Sequence, residues 1–320
     1  MKALPRIFLM PRVWIDTDLG FDDLAAVLTV AHAPGWVIDG MSLGAGNAPI
    51  EVVVDNALRS AACFAWRFPI CAGRAQPLRG QLVTAQSLLG ADAMVSAGRA
   101  LPQERATLRS IDAVAALGEY LAEAIDPVTL LALGPLTNIA VVLQHRPDLA
   151  ARIGMMMWMG GSAGPGNHTA AAEFNAAVDP EAVNVVLDAG VPLHMVGLDT
   201  CRQVRMHASD AEALRGVGTD RAEVLADLLL GYVRIASRDG SLPMALHDPT
   251  AAAALVAPGS VTFRSAHVVA ECRGEHTRGM TVIEWRVPRR AEANTQVATV
   301  ADEARVRRVV LDALAAAARG

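Results

Sequence analysis

The chain has 320 residues, a formal net charge of −5, 52% hydrophobic residues and 19% charged residues. That balance excludes a disordered chain and provides no overall field to attract nucleic acid or an anionic membrane. The length supports a large core without disulfides or a structural metal, and Cys63, Cys71, Cys201 and Cys272 lack the spacing of a zinc site or a disulfide framework, which fits a reducing cytoplasmic compartment.

No apolar run reaches the ~18 residues of a membrane span. The opening MKALPRIFLMPR carries an apolar patch broken by Pro5 and Arg6, too short for a secretory leader. Residues 1–11 are read as peripheral, and Met10 is an alternative start of translation. Val13 to Ile15 then reads as a buried strand, followed by a polar loop and a helix from Leu24 to Ala33. Val37 to Leu43 is the next strand; it ends in Gly44-Ala45-Gly46-Asn47, and a helix runs from Ile50 to Ala65. Pro69 to Ala72 is a short strand. Residues 74–110 have weak periodicity and several glycines, the pattern of a long loop region free to move.

A helix over Ala113–Ala124 precedes a strand at Val128–Leu133, and Gly134-Pro135-Leu136-Thr137-Asn138 opens another helix. Ile153 to Met159 is a strand ending in Gly160-Gly161, and Pro180 starts a helix at a favourable first-turn position. Leu193 to Gly197 is a further strand, and two helical stretches occupy 208–238. Val261–Glu271 and Met280–Arg286 form a late hairpin, with Arg286, Arg289 and Arg290 at its solvated end, and an alanine-rich helix covers Glu303–Ala317. Alternating strands and helices predict a single α/β domain over residues 1–320: an open, mixed, mostly parallel sheet flanked by helices, with the small late hairpin and a helical subregion.

The polar motifs follow the strands. Asp16 to Asp23 comes after the first, Asn47 after the second, Thr137 after another, Glu173 to Asn175 after Gly161, and Asp199 after a fifth. In open α/β sheets ligands bind outside the carboxyl ends of the strands, so these loops converge on one rim.

Asp16-Thr17-Asp18-Leu19-Gly20-Phe21-Asp22-Asp23 places four carboxylates within eight residues, and no Lys or Arg occurs between Arg12 and Arg59. Such carboxylates repel one another and hold protons more tightly. A helix N-terminus after Asp23 offsets only ~0.3–1 kcal/mol per charge. A hard cation offsets more, and oxygen donors without nearby His or Cys point to calcium or magnesium rather than zinc. Helix capping accounts for one or two of these aspartates, not four.

The remaining motifs are ambiguous one at a time. In His247-Asp248-Pro249-Thr250, Asp248 or Thr250 caps the next helix unless Asp248 joins the acidic cluster and His247 faces a substrate. Glu173-Phe174-Asn175 puts two polar side chains on one face of an extended segment. Gly46-Asn47 is also a simple turn, and Thr137-Asn138 a simple helix start. Neither a P-loop, a dinucleotide fingerprint nor a Gly-x-Ser-x-Gly elbow is present.

Taken together, these residues resemble the nucleoside hydrolase family of the inosine–uridine-preferring type, whose N-terminal signature is Asp-x-Asp-Pro-Gly-x-Asp-Asp. Gly46-Asn47, Gly134 to Asn138, Gly160-Gly161, Gly166-Asn167, Glu173 to Asn175, His247 to Pro249 and Thr277-Arg278-Gly279-Met280 match in order and approximate spacing, from Arg12 over nearly the whole chain. The resemblance implies hydrolysis of the N-glycosidic bond of ribonucleosides. It implies calcium held by Asp18, Asp23, Asp248 and the backbone carbonyl of Thr137, with Asp18 as the base toward the water on the cation. Asp22, Asn47, Asn167, Glu173 and Asn175 would grip the ribose, His247 would face the leaving base, and Asp16 would act from behind the site. It also implies a homodimer or homotetramer. Two departures stand out. Leu19 replaces the usual proline, which is expected to loosen the first loop. Leu89-Gly90-Ala91-Asp92-Ala93 replaces the family's His-Gly-x-Asp-Gly loop, removing a histidine and leaving the base preference open, with a lean toward broad or pyrimidine specificity.

The chemistry fits these residue types. Glycosidic cleavage builds positive charge on the sugar, which fixed carboxylates and amides stabilise, and a cation lowers the pKa of water. A magnesium phosphatase or phosphotransferase of haloacid dehalogenase type also uses Asp-x-Asp after a strand, but Asp22-Asp23 and Glu173 to Asn175 fit it badly. A non-catalytic nucleoside- or ribose-binding protein is the other alternative, although every expected catalytic residue is present.

Overall fold

The computed structural model describes residues 10–320; the expectations for residues 1–9, including the apolar patch and a start at Met1, lie outside the described residues. The strands are β1 (Arg12–Thr17), β2 (Val37–Leu43), β3 (Ile70–Ala72), β4 (Val128–Ala132), β5 (Ile153–Met159), β6 (Leu193–Val196), β7 (Arg205–Met206), β8 (Met244–Ala245), β9 (Val261–Ala270), β10 (Thr281–Glu284) and β11 (Thr295–Ala301). The helices are α1 (Phe21–Ala31), α2 (Ile50–Cys63), α3 (Gln86–Leu89), α4 (Ala113–Glu123), α5 (Thr137–His145), α6 (Phe174–Val178), α7 (Pro180–Asp188), α8 (Leu198–Cys201), α9 (Ala208–Arg215), α10 (Asp220–Ala236), α11 (Asp248–Val256) and α12 (Glu303–Arg319).

Nine strands form one open sheet in the order β10-β9-β11-β6-β5-β4-β1-β2-β3. From β11 to β3 all neighbours are parallel, and β9 and β10 add an antiparallel edge. Both faces are covered, so the central strands read as continuous apolar runs rather than alternating ones. Val13, Ile15, Leu131, Leu133, Met157 and Met159 point into the core beneath α1, α10, α11 and α12. Trp14, Leu130, Met156 and Trp158 point to the other face, against α4, α5 and α7. This is the two-residue alternation of a strand, buried on both sides.

The chain runs outward from β1 through β2 to β3, then returns to the other side of β1 with β4 and runs outward again through β5 and β6. The strand order therefore switches between β1 and β4, and such a switch opens a crevice at the carboxyl ends.

Three sequence expectations change. The late hairpin is not a separate feature: β9 pairs with β10 at the edge, but β11, which the sequence reading omitted, inserts between β9 and β6. Its segment Thr-Gln-Val-Ala-Thr-Val-Ala mixes polar and apolar residues with no continuous apolar run. The segment from Phe174 is helical rather than extended. Residues 74–110 contain the one-turn helix α3, and Asn56 and Arg59 of α2 hold the region by donating to the carbonyls of Asp92, Leu101 and Pro102.

Candidate active site

The end of β1 delivers Asp16, Asp18 and the start of α1 to the crevice. Asp18 Oδ2 accepts the Asn47 amide at 2.6 Å. Glycine is required on both sides: a Cβ on Gly46 would lie 2.1 Å from Asp18 Oδ2, and one on Gly134 would lie 2.9 Å from Oδ1. The Gly46-Asn47 and Gly134-Pro135 motifs thus make room for this carboxylate. Asp23, in the first turn of α1, accepts the Gly20 amide at 2.8 Å, the Asn47 side-chain amide at 3.2 Å and the Thr17 hydroxyl. Leu19 is tied into this loop. Its N–H donates to Thr17 Oγ1 at 3.3 Å, a bond proline cannot make, its carbonyl accepts from Asn56, and its side chain is fully buried.

Asp248, at the first position of α11, arrives from the far end of the chain. Asp22, Asp23 and Asp248 each place a carboxylate oxygen within 4.8 Å of the others. Burial, then the neighbouring carboxylates, push Asp18 and Asp248 well above the usual carboxylate range and Asp23 to about 7. Asp16 lies behind them, accepting from Ser42 and from Asn138 at 2.9 Å, and burial raises it to about 6. Oxygen donors gathered in a crevice where burial already raises the proton affinity of Asp18, Asp23 and Asp248 suit a hard divalent cation.

The cluster forms one end of a cavity of about 550 Å³, a normal volume for a small-molecule site. Asp18, Asp22, Asn47, Asn167, Glu173, Asn175, His247 and Asp248 all line it; Asp23 contributes from the first turn of α1 and Asp16 from behind. Thr137 does not line it. Its hydroxyl donates to Asp179 at 2.7 Å and it begins α5, so its carbonyl heads the helix ladder. Leu133, four residues earlier at the end of β4, lines the cavity, and its carbonyl accepts from Asn175 at 2.9 Å.

Two amides are oriented by their bonds. Asn175 Nδ2 donates to the carbonyls of Leu133 and Met159, which leaves Oδ1 as an acceptor. Asn167 Oδ1 accepts the Phe174 amide at 2.9 Å, which leaves Nδ2 as a donor. The hydrogen-bond network makes these assignments. Glu173 caps α6: its carboxylate accepts the amides of Asn175 and Ala176, and also that of Gly161 across the loop. Neither Asp248 nor Thr250 caps α11; the Thr250 hydroxyl instead donates to Leu246.

Sequence reasoning missed several lining groups. Tyr232, in the C-terminal part of α10, places its hydroxyl 3.0 Å from His247 Nδ1, and Asp22 Oδ2 lies 3.6 Å from the same nitrogen. His168 and Arg202 also reach the cavity, so His247 is not the sole ionisable donor there. Leu89 lines it as expected, together with Val83, Leu88, Ile235 and Met244. Arg202 ends the turn of helix α8 that begins beside Asp199, a residue the sequence places after the fifth strand, whereas Tyr232 occupies a helix position with no local mark.

A model of the inosine-uridine preferring nucleoside hydrolase family matches residues 13–308. The chain belongs to the nucleoside hydrolase family. The pyrimidine-specific ribonucleoside hydrolase RihA of Salmonella agona (strain SL483) is 34% identical over 274 residues, covering 85% of this chain and 88% of the relative. The protein of that name from Escherichia coli O139:H28 is 33% identical over 276 residues, with the same coverage. Among solved structures, a purine-preferring ribonucleoside hydrolase from Gardnerella vaginalis superposes with a TM-score of 0.87 at 24% identity, covering 96% of this chain and 99% of that one. An inosine-guanosine nucleoside hydrolase superposes with a TM-score of 0.86 at 26% identity, covering 95% and 98%. This nucleoside hydrolase is an enzyme that cleaves ribonucleosides, with an acidic cluster that suits the metal dependence of its family. The phosphatase and binding-protein alternatives are not favoured. Among the described residues no helix is long and apolar enough to cross a membrane.

Proposed function

We propose that this nucleoside hydrolase, acting as a single domain, uses calcium to cleave the N-glycosidic bond of ribonucleosides, with Asp18 as the general base. The observation that carries this reading is the convergence of Asp18, Asp22, Asp23 and Asp248 at the β1/β4 switch point. Asp18, Asp23 and Asp248 would hold the cation. Leu133, which lines the cavity, would offer its carbonyl in the role expected of Thr137. When bound, calcium supplies charge that acidifies water and orients sugar hydroxyls.

The chain's own groups do the rest. Asp18, buried and rich in proton affinity, takes a proton from the attacking water. The water oxygen bonds to C1′ as the C1′–N bond breaks, and the electron pair leaves on the base. The free acceptor of Asn175 and the free donor of Asn167 complement ribose hydroxyls, while Asp22, Asn47 and Glu173 complete the grip. Buried polar partners left without a hydroxyl would reject deoxy sugars. His247 delivers a proton to the leaving base.

Pyrimidine nucleosides are the favoured substrates. Leu89 cannot protonate a purine ring, and the two RihA relatives are named pyrimidine-specific. A cytoplasmic homodimer or homotetramer is consistent with four free thiols and with the family resemblance.

Metal analysis combined with a nucleoside panel scored for free ribose tests the reading. The expected result is about one calcium per chain, activity abolished by chelation and restored by calcium, and uridine and cytidine turned over faster than inosine. Full activity in exhaustively metal-depleted protein overturns the metal role.

A further inference from the structure

The loop from Gly160 to Glu173 carries Asn167 and His168 to the cavity. At its start, Gly161 is held by Glu173, and Ser162 by the Thr281 hydroxyl, which bonds both its N–H and its carbonyl at 2.8 Å. The side chains that hold the next stretch come from α8 and from Arg202 just after it. Asp199 Oδ2 accepts the Ala163 amide at 2.5 Å and the Ser162 hydroxyl at 3.1 Å. Arg202 donates from Nη1 to the Pro165 carbonyl at 2.8 Å and from Nη2 to the Gly166 carbonyl at 2.9 Å. Packing is close here: a Cβ on Gly164 would lie 2.8 Å from Asp199 Oδ1, and one on Gly166 would lie 2.1 Å from the Ala172 carbonyl.

Asn167 is the next residue. Its own side chain is exposed, so the loop around it has little core to hold it. The amides of Asn167, His168 and Thr169 converge on the Ala172 carbonyl, which shapes the tip but does not anchor it to the sheet. The anchor is the Asp199–Arg202 pair, one turn of helix fixed to the end of β6. Arg202 has no carboxylate within ion-pair distance among the described residues; its planar fork instead grips two consecutive carbonyls, a geometry that lysine cannot copy.

We propose that Asp199 and Arg202 are positioning residues that hold the 162–166 backbone so that Asn167 presents its amide donor to the sugar before the substrate arrives. The proposal rests on Asn167 being a sugar contact. Without the clamp the loop must be ordered during binding, which weakens substrate affinity and leaves the chemical step little changed.

Steady-state kinetics on uridine, with calcium present, test this in the full-length enzyme. Arg202→Ala and Asp199→Ala should each raise KM about ten-fold and keep kcat within about three-fold of wild type. Arg202→Lys should resemble Arg202→Ala, and free guanidinium, well below denaturing concentrations, should lower the KM of Arg202→Ala. In an Asn167→Ala background neither substitution should raise KM further, because all three act through one contact. If Asp199→Ala does not fold, Asp199→Ser, whose hydroxyl is too short to reach Ala163, takes its place. A normal KM for the Asp199 variant beside a raised KM for Arg202→Ala would mean direct contact of the guanidinium with substrate and overturns the proposal. Effects additive to Asn167→Ala, or full recovery by lysine, overturn it as well. Wild-type KM in Asn167→Ala alone removes the sugar contact itself and the proposal with it, an outcome separable from a failure of the clamp.

Discussion

The Tyr232 hydroxyl lies 3.0 Å from His247 Nδ1 and 2.7 Å from the Ala245 carbonyl. A hydroxyl has one proton. If it goes to Ala245, His247 Nδ1–H must donate to tyrosine, and neutral His247 carries no proton on Nε2. Protonating a leaving base from Nε2 then requires either the imidazolium, with Asp22 Oδ2 3.6 Å from Nδ1, or a turn of the tyrosine hydroxyl toward Nδ1. Burial, then the nearby charge of Asp22, keeps that hydroxyl protonated.

His247→Ala should therefore lose ~10²-fold or more in kcat on at least one class of nucleoside. It should lose little on p-nitrophenyl riboside, whose leaving group needs no proton. Tyr232→Phe should show the same substrate pattern with a smaller loss. Equal losses on both substrates would place His247 in sugar or metal positioning instead.

Asp18→Asn should lower kcat by at least ~10²-fold while substrate still binds, measured by inhibitor affinity beside turnover. Near-normal kcat removes Asp18 as the base. Gly46→Ala reaches the same carboxylate from behind, since the added carbon would meet Asp18 Oδ2 at 2.1 Å. It should displace Asp18 or the Asn47 loop and weaken both calcium binding and turnover. Wild-type behaviour of Gly46→Ala would show that the fit around Asp18 is not needed.

The acidic cluster makes stability depend on pH in a defined direction. Asp16 and Asp23 sit at about 6 and about 7 in the folded, metal-free chain, against 3.8 when free, and Asp18 and Asp248 also shift upward. Folding thus binds extra protons. The stabilisation is complete below the unfolded value and is lost as pH rises through about 6 to 7. If calcium takes the place of those protons, the rise in Tm on adding calcium should be larger at pH about 8 than at pH about 5. A rise that is constant or shrinks with pH contradicts the arrangement.

Asn175 cannot exchange its amide for a carboxylate. Both N–H groups of its Nδ2 point at carbonyl oxygens, those of Leu133 and Met159. Asn175→Asp would set oxygen against oxygen in a buried place and should cost about 2 kcal/mol in denaturant unfolding, with turnover falling as well. An unchanged unfolding midpoint would mean that the amide is oriented the other way.

Much of this enzyme is legible in its sequence, for local reasons. Strands largely buried on both faces carry apolar runs, so β1, β2, β4 and β5 are bounded by the sequence to within a residue or two. Four carboxylates in eight residues, with no cation near them in the chain, already demanded a counter-charge. Glycines beside Asp18 were visible as motifs, although only the packing shows that Cβ atoms there would strike its oxygens.

Tertiary structure decided what depends on partners distant in the chain. β11 takes its place in the sheet because β6 and β9 offer it hydrogen bonds on both sides, which its mixed polar and apolar pattern does not announce. Glu173 looks like a sugar ligand in sequence, but the fold first makes it the cap of α6 and the tie to Gly161. Leu133 lines the cavity and its carbonyl orients Asn175, a backbone role that every residue can fill and no sequence marks. Tyr232 and Arg202 act through contacts with His247 and the 165–166 backbone, 15 and about 36 residues away. Such contacts exist only once the sheet order has closed the crevice between β1 and β4, and a one-dimensional pattern cannot carry that closure.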